Sequence, residues 1–330
     1  MIVLIGEAGG AFLIVYSIVW AYTGKVLTAF LLAGLATATA PAATVEVLRK
    51  LKAAGPLTTR LQWVLAFDDV LAICVVETSL IYLELSLGNN RSPLNILHRI
   101  WSELGVALVI GLVLGWLLDM VVERQDDELE MMEVTLSFLV FAIGVTHWQA
   151  SSVITATMVM GAVATNHGGD NYERSGDLLE LIMSPVVMVF FVLVGARISI
   201  DDFSPLPMLA FVYLIARTLG KIGGAFVSTR ALGSEPALQK NFGFGLLAQG
   251  GVALGLVSVA NDILVTGGNP ELGHLLITTL IISTVFSEAL GSFGTALAVR
   301  RSGESGKAEV KDRLKYNINP EPWEFVDIPT

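Results

Sequence analysis

The chain has 330 residues, 54% of them hydrophobic and 15% charged, with a mean hydropathy of +0.69 and a formal net charge of −10. Soluble globular domains carry about 25% charged residues, so the balance excludes an ordinary soluble domain, and the acidity excludes a nucleic-acid-binding protein. A single cysteine, Cys74, excludes an internal disulfide framework and a cysteine-based metal cluster, and is expected as a small apolar filler.

Apolar windows of about 20 residues mark bilayer-spanning helices. About ten such spans recur along the chain, which predicts an all-α polytopic membrane protein. In order they are Ile2–Ala21, Val26–Leu48, Leu57–Leu85, Ile100–Val122, Met132–Val145, Ala150–Thr165, Leu178–Ala196, Leu206–Thr229, Asn241–Val259 and Leu272–Val299. Lys and Arg collect in loops of one parity, in Arg49, Lys50, Lys52 and Arg60, in Arg230 and Lys240, and after Arg300. The positive-inside rule then places both ends of the chain in the cytoplasm. Residues 301–330 read as a cytoplasmic tail, docked through Trp323 and Phe325.

The second span is interrupted at mid-depth by Pro41 among small hydroxyl residues, and the ninth by Gly250-Gly251 beside Gln249. Proline removes an intrahelical hydrogen bond and paired glycines let the backbone leave the helix. Unpaired backbone at this depth is tolerated where protein or a watery cavity satisfies it. For either break alone, packing by small residues is the simpler reading.

The third span carries Ala66-Phe67-Asp68-Asp69-Val70. If it begins near Leu57, the two carboxylates lie roughly 15–18 Å along it, about the middle of a ~30 Å hydrocarbon core. An ionised side chain there costs several kcal/mol unless it faces a partner or water. Adjacent carboxylates also oppose each other's ionisation, so the pair suits an exchange of proton for cation. The bland alternative is a structural ion pair. On the eighth span, Arg217 and Lys221 share a helix face and can supply a counter-charge; snorkelling toward the interface is the alternative for either one.

Spans one to three and eight to ten repeat one pattern of intact, interrupted and intact helix. The third member of the first triplet carries Asp68 and Asp69, that of the second Ser287-Glu288. An offset of seven spans inverts one triplet against the other, and broken helices in matching halves point to a transporter's ion site. Glu7, Glu46, Glu77 and Glu180 fall nearer span ends and are expected to be solvated or interfacial. His98, His147, His167 and His274 sit at or beyond span ends without metal-ligand spacing.

These residues resemble a known family. Ala38-Thr39-Ala40-Pro41-Ala42-Ala43-Thr44, Gly55-Pro56-Leu57-Thr58 and Ala66-Phe67-Asp68-Asp69 are similar to motifs of bacterial sodium/proton exchangers of the monovalent cation:proton antiporter superfamily. So are Phe191 to Arg197, Ala216 to Lys221 and Gln249 to Gly255. The resemblance implies an inverted repeat with two broken helices crossing at the ion site. It implies core helices in residues 1–86 and 206–300, linker and dimerisation helices in 87–205, and a tail in 301–330. The core moves against a dimerisation domain in an elevator-like cycle in the bacterial inner membrane.

Under that resemblance Asp69 is the principal carrier of the transient monovalent cation and the proton. Asp68 pairs with the basic helix, through Lys221 first and Arg217 in reserve, and exchange is electrogenic. Thr39 lines the site at the first break, with Pro41, Gly250 and Gly251 as the broken-helix elements. The cargo is Na+ or Li+, with K+ as an alternative, against H+, and no cofactor is called for. Two departures stand out. Ala40 replaces an acid that relatives often carry before the proline. Relatives also begin with further helices that complete the dimerisation domain, so homodimerisation is expected with such helices present. The competing readings are a potassium efflux antiporter, a truncated non-transporting membrane protein, and an intramembrane aspartyl protease. The protease draws its two acids from separate helices, whereas these are adjacent, and the chain reads as a transporter rather than an enzyme.

Overall fold

A computed structural model describes residues 1–86, 93–125, 127–149, 151–167 and 206–308, with a few scattered positions between 185 and 192. Nearly all of the expected span Leu178–Ala196 and the tail beyond residue 308, with Trp323 and Phe325, lie outside the described residues. The described residues form helices and no strands. In chain order these are α1 (Ile2–Thr23), α2 (Val26–Leu35), α3 (Pro41–Lys50), α4 (Pro56–Ser86), α5 (Pro93–Val122), α6 (Glu128–Trp148) and α7 (Val153–His167). They continue with α8 (Leu206–Ala231), α9 (Pro236–Asn241), a 3-10 turn (Phe242–Leu246), α10 (Gly251–Thr266) and α11 (Pro270–Arg301).

Among the described residues α1, α5, α6, α8 and α11 contain stretches long and apolar enough to cross a bilayer. The segments Pro236–Leu246 and Gly251–Thr266 make a further span bent by 50°. Helix boundaries follow local chemistry. Pro41, Pro236 and Pro270 each open a helix, where a missing N–H has no intrahelical partner to lose. Pro41 thus starts α3 after the interruption rather than kinking a continuous helix. Gly24 ends α1 with φ 66°, a conformation that glycine adopts without a Cβ penalty.

The chain divides into two compact units, one of residues 1–79 with 202–330 and one of residues 80–201. In the second unit α5 meets α7 where Gly111 and Gly115 face the backbone and side chains of Ala156, Val159, Met160 and Val163. Leu114, Leu118, Met131, Ala142 and Met160 fill the space beside that seam.

In the first unit α1 lies along α8 in a glycine-lined seam. A Cβ on Gly10 would fall 2.7 Å from Gly224 Cα and 2.8 Å from Gly220 O, and one on Gly220 would fall 2.6 Å from Ala11 Cα. Gly6 and Gly10 on one helix therefore oppose Gly220 and Gly224 on the other, the small-residue spacing that lets helix backbones touch in lipid. Leu48, Leu57, Leu61, Leu65, Phe242 and Leu246 form an apolar cluster in the same unit.

Near that cluster the turn after α11 clasps the start of α4. The buried Glu304 carboxylate accepts N–H bonds from Leu57 (2.7 Å) and Thr58 (2.8 Å) and the Thr58 hydroxyl at 2.7 Å. It thereby satisfies donors that a helix leaves free in its first turn. Cys74 is exposed on α4.

Candidate functional site

The interruption of the second span runs from Ala36 to Ala40, and that of the ninth from Leu247 to Gly250. The two meet, since the Ala40 N–H donates to Ala248 O at 3.0 Å. Gln249 joins them again, its Nε2 donating to Leu35 O at 2.9 Å and to the Tyr213 hydroxyl at 2.8 Å. Thr44, one turn into α3, donates its hydroxyl to Gly245 O at 3.0 Å.

Each interruption strands carbonyls that no helix turn can satisfy, and α8 satisfies them. Arg217 donates from Nε to Ala36 O (3.2 Å), from Nη1 to Leu247 O (2.6 Å), and from Nη2 to Ala38 O (2.8 Å) and Ala248 O (3.1 Å). Arg217 is completely buried, so snorkelling does not occur. Its donors all go to backbone carbonyls. Its planar fork spans carbonyls of both interruptions at once, which a point-like ammonium could not do.

Lys221, one turn further along α8, is also fully buried. Its Nζ donates to Thr37 O at 2.6 Å and to the Thr39 hydroxyl at 2.8 Å. The same nitrogen lies 2.6 Å from Glu7 Oε2 and 3.5 Å from Asp68 Oδ2. The expected Lys221–Asp68 pair is thus the longer of two, and Glu7 holds the ammonium more closely. Glu7 and Asp68 also face each other across that nitrogen, and Asp69 Oδ1 is buried without a hydrogen-bond partner among the described residues. Asp68 is wholly enclosed, whereas Asp69, its neighbour on α4, is half-buried.

Glu7 is the residue that reading by span position misses. It was expected at an interface and is instead completely buried. The available signal was its setting: Glu7 follows Gly6 and Lys221 follows Gly220, so each charge lies within a glycine-spaced pair. Close approach of α1 to α8 brings the two side chains into one enclosed space. Glu46, by contrast, is solvated as expected and pairs with Lys50 at 3.0 Å. Glu180 and the side chain of Glu77 lie outside the described residues.

Gly250 is the residue before α10 and Gly251 its first member. On α11 the half-buried Glu288 reaches over this interruption: its Oε1 is 2.6 Å from where a Cβ on Gly250 would stand, and Ala40 Cβ is 3.0 Å from the same point. The site therefore holds four carboxylates, from Glu7, Asp68, Asp69 and Glu288, around two buried cations. No cluster of three metal-ligating side chains occurs among the described residues. Carboxylates that compete for one ammonium, with the half-buried Asp69 beside them, are suited to taking up a proton or a weakly held monovalent cation.

Comparison with known proteins gives a consistent picture. Residues 1–300 match the family described as sodium/hydrogen exchanger, transmembrane. The Na+/H+ antiporter NhaG of Bacillus atrophaeus is 25% identical over 233 residues, covering 66% of this chain and 44% of its own length. The low-affinity Na+/H+ antiporter NhaS1 of Synechocystis is 25% identical over 205 residues, covering 60% of this chain and 38% of its own. The chain thus spans less than half the length of these curated relatives. The solved sodium proton antiporter MjNhaP1 of Methanocaldococcus jannaschii superposes with a TM-score of 0.66 at 18% identity, over 91% of this chain and 76% of that one, which shows a shared fold.

Proposed function

The chain belongs to the sodium/hydrogen exchanger family and is a multi-pass membrane protein, and from that premise we propose that it exchanges protons for a monovalent cation by secondary active transport. The observation that carries this reading is the enclosed group of Lys221, Glu7, Asp68 and Thr39 against the interrupted helices, with Asp69 half-buried beside it. A carboxylate at this depth is most stable when neutralised, and either a proton or a cation does so. Competition for Asp69 then couples the two fluxes. Na+ and Li+ are the cations we favour, with K+ as an alternative. The reading is supported further by the relatives described as Na+/H+ antiporters.

The finer mechanism follows from the same residues. Asp69 is the principal carrier, and Asp68 stands between the ammonium and the carrier. Arg217 and Lys221 hold both interruptions to α8, so the unit that bears them moves as one body in an elevator-like cycle. Exchange is electrogenic where Asp68 carries charge independently of Lys221. The bacterial inner membrane as location, cytoplasmic termini and a homodimer complete the proposal.

The test is reconstitution into proteoliposomes with a trapped pH indicator, followed by pulses of NaCl, LiCl or KCl. Wild-type protein should alkalinise or acidify the lumen in the sense set by the cation gradient. Asp69→Asn should abolish the response while leaving a monodisperse protein; retention of the full response by that variant would falsify the carrier assignment.

A further inference from the structure

The exchange chemistry proposed above needs Asp69 and leaves unused a carboxylate at the second interruption, Glu288. Glu288 lies near the middle of α11, a helix running from Pro270 to Arg301. A carboxylate so placed is costly unless it is paired or takes part in ion movement. Glu288 has neither a hydrogen bond nor an ion pair among the described residues, in contrast to Glu304 and Glu46. It is half-buried, so one side of the group remains reachable.

Its position is specific. Oε1 stands against Gly250, the residue at which the second interruption ends, and the absence of a side chain there makes the room it occupies. Ala40, the last residue of the first interruption, closes the other side of that space. Had Ala40 been acidic, two carboxylates would crowd this point; with a methyl group there, Glu288 is the acid facing the gap. The charged groups of the surrounding elements are Arg217 and Lys221 on α8, Glu7 on α1, and Asp68 and Asp69 on α4. Arg217 spends its donors on four carbonyls, and its positive charge has no carboxylate within ion-pair distance among the described residues.

The two triplets of helices place these acids in matching roles. In the first, Asp68 and Asp69 on α4 accompany the interruption that Lys221 holds. In the second, Glu288 on α11 accompanies the interruption at Leu247 to Gly250, which Arg217 ties to the first. We infer that Glu288 is a second exchanging carboxylate of the transporter, which releases its own proton when a monovalent cation enters and takes one up when it leaves. With four carboxylates against two cations, two further positive charges neutralise the group. Glu288 and Asp69, the half-buried members, are the places where they exchange with the outside. No bond other than O–H is made or broken, and the displaced proton passes to water.

The inference rests on the exchange reading, and infrared difference spectroscopy separates the two. Addition of NaCl, LiCl or KCl to the purified protein in lipid should remove the C=O absorption of each carboxylic acid that loses a proton. Wild-type protein should lose two components. Asp69→Asn should keep the Glu288 component, Glu288→Gln should keep only the Asp69 component, and Glu288→Asp should shift the Glu288 component without removing it. An identical difference spectrum from wild type, Glu288→Gln and Glu288→Asp overturns the role of Glu288 and leaves exchange at Asp69 standing. A wild-type spectrum unchanged by all three salts overturns the exchange reading itself. Because Glu288→Asp keeps the acid, it decides the matter even where Glu288→Gln fails to fold.

Discussion

The Lys221 ammonium lies 2.6 Å from the Glu7 carboxylate, and both side chains are fully withdrawn from solvent. Asp68 touches the same nitrogen at 3.5 Å. The closer pair joins α1 to α8, while the longer one joins α8 to α4. A single buried charge therefore ties together three helices, and the two carboxylates compete for it.

Removing one partner of a buried pair leaves the other uncompensated, at about 3–5 kcal/mol. Here Asp68 can move onto Lys221, so Glu7→Gln should cost less, about 1–3 kcal/mol by the same reasoning. Thermal unfolding in detergent should show Glu7→Gln less stable than wild type, and Glu7→Gln with Asp68→Asn less stable than the sum of the single changes. Strict additivity would show that the two acids do not share the lysine.

Cation binding that displaces protons grows stronger as the proton concentration falls. The sign is direct: raising the pH removes the competitor, so the stabilisation given by a fixed NaCl or LiCl concentration should rise. Binding to the folded state alone shifts stability by RT ln(1 + [L]/Kd), so thermal-shift curves at several pH values measure it. In Asp69→Asn the cation-dependent shift should be strongly reduced. A wild-type shift independent of pH would argue against competition.

Arg217→Lys keeps the charge but loses the fork. Hydrogen bonds to a charged group contribute about 1.5–3 kcal/mol each, and an ammonium cannot reach carbonyls of Ala36, Ala38, Leu247 and Ala248 together. The variant should lose several kcal/mol of stability by that measure. Hydrogen exchange should rise at Ala40, whose N–H bonds to Ala248 O. Unaltered protection there would mean that the interruptions hold each other without Arg217.

The α1–α8 seam predicts a sharp contrast between neighbouring glycines. A Cβ on Gly10 meets the α8 backbone at 2.7 Å, whereas one on Gly9 meets nothing within 4 Å. Gly10→Ala should destabilise by about 1–3 kcal/mol, the usual range for overpacking, and loosen the Glu7–Lys221 contact. Gly9→Ala should be close to neutral. Equal melting temperatures for the two variants would contradict close backbone packing along the seam.

Much of the molecule was legible in the chain itself. Apolar stretches long enough for a bilayer dictated helices, because unpaired backbone is intolerable in lipid. Pro41 and Gly250-Gly251 marked both interruptions, since those residues cannot continue a helix without loss. Asp68 and Asp69 were conspicuous because two acids inside an apolar span are too costly to keep unless they bind a charge. Lys221 was conspicuous as a cation inside an apolar span for the same reason.

What each charge touches was decided by tertiary structure. Arg217, expected as the reserve partner of Asp68 behind Lys221, binds four carbonyls, because the two interruptions meet beside it and their orphan oxygens come from segments far apart in sequence. Glu7 looked interfacial from its place near the start of a span, yet backbone contact along the glycine seam draws it against Lys221. Sequence position tells how deep a residue sits along one helix; only the packing of α1, α4, α8 and α11 tells which face is enclosed and which opposite charge stands across from it.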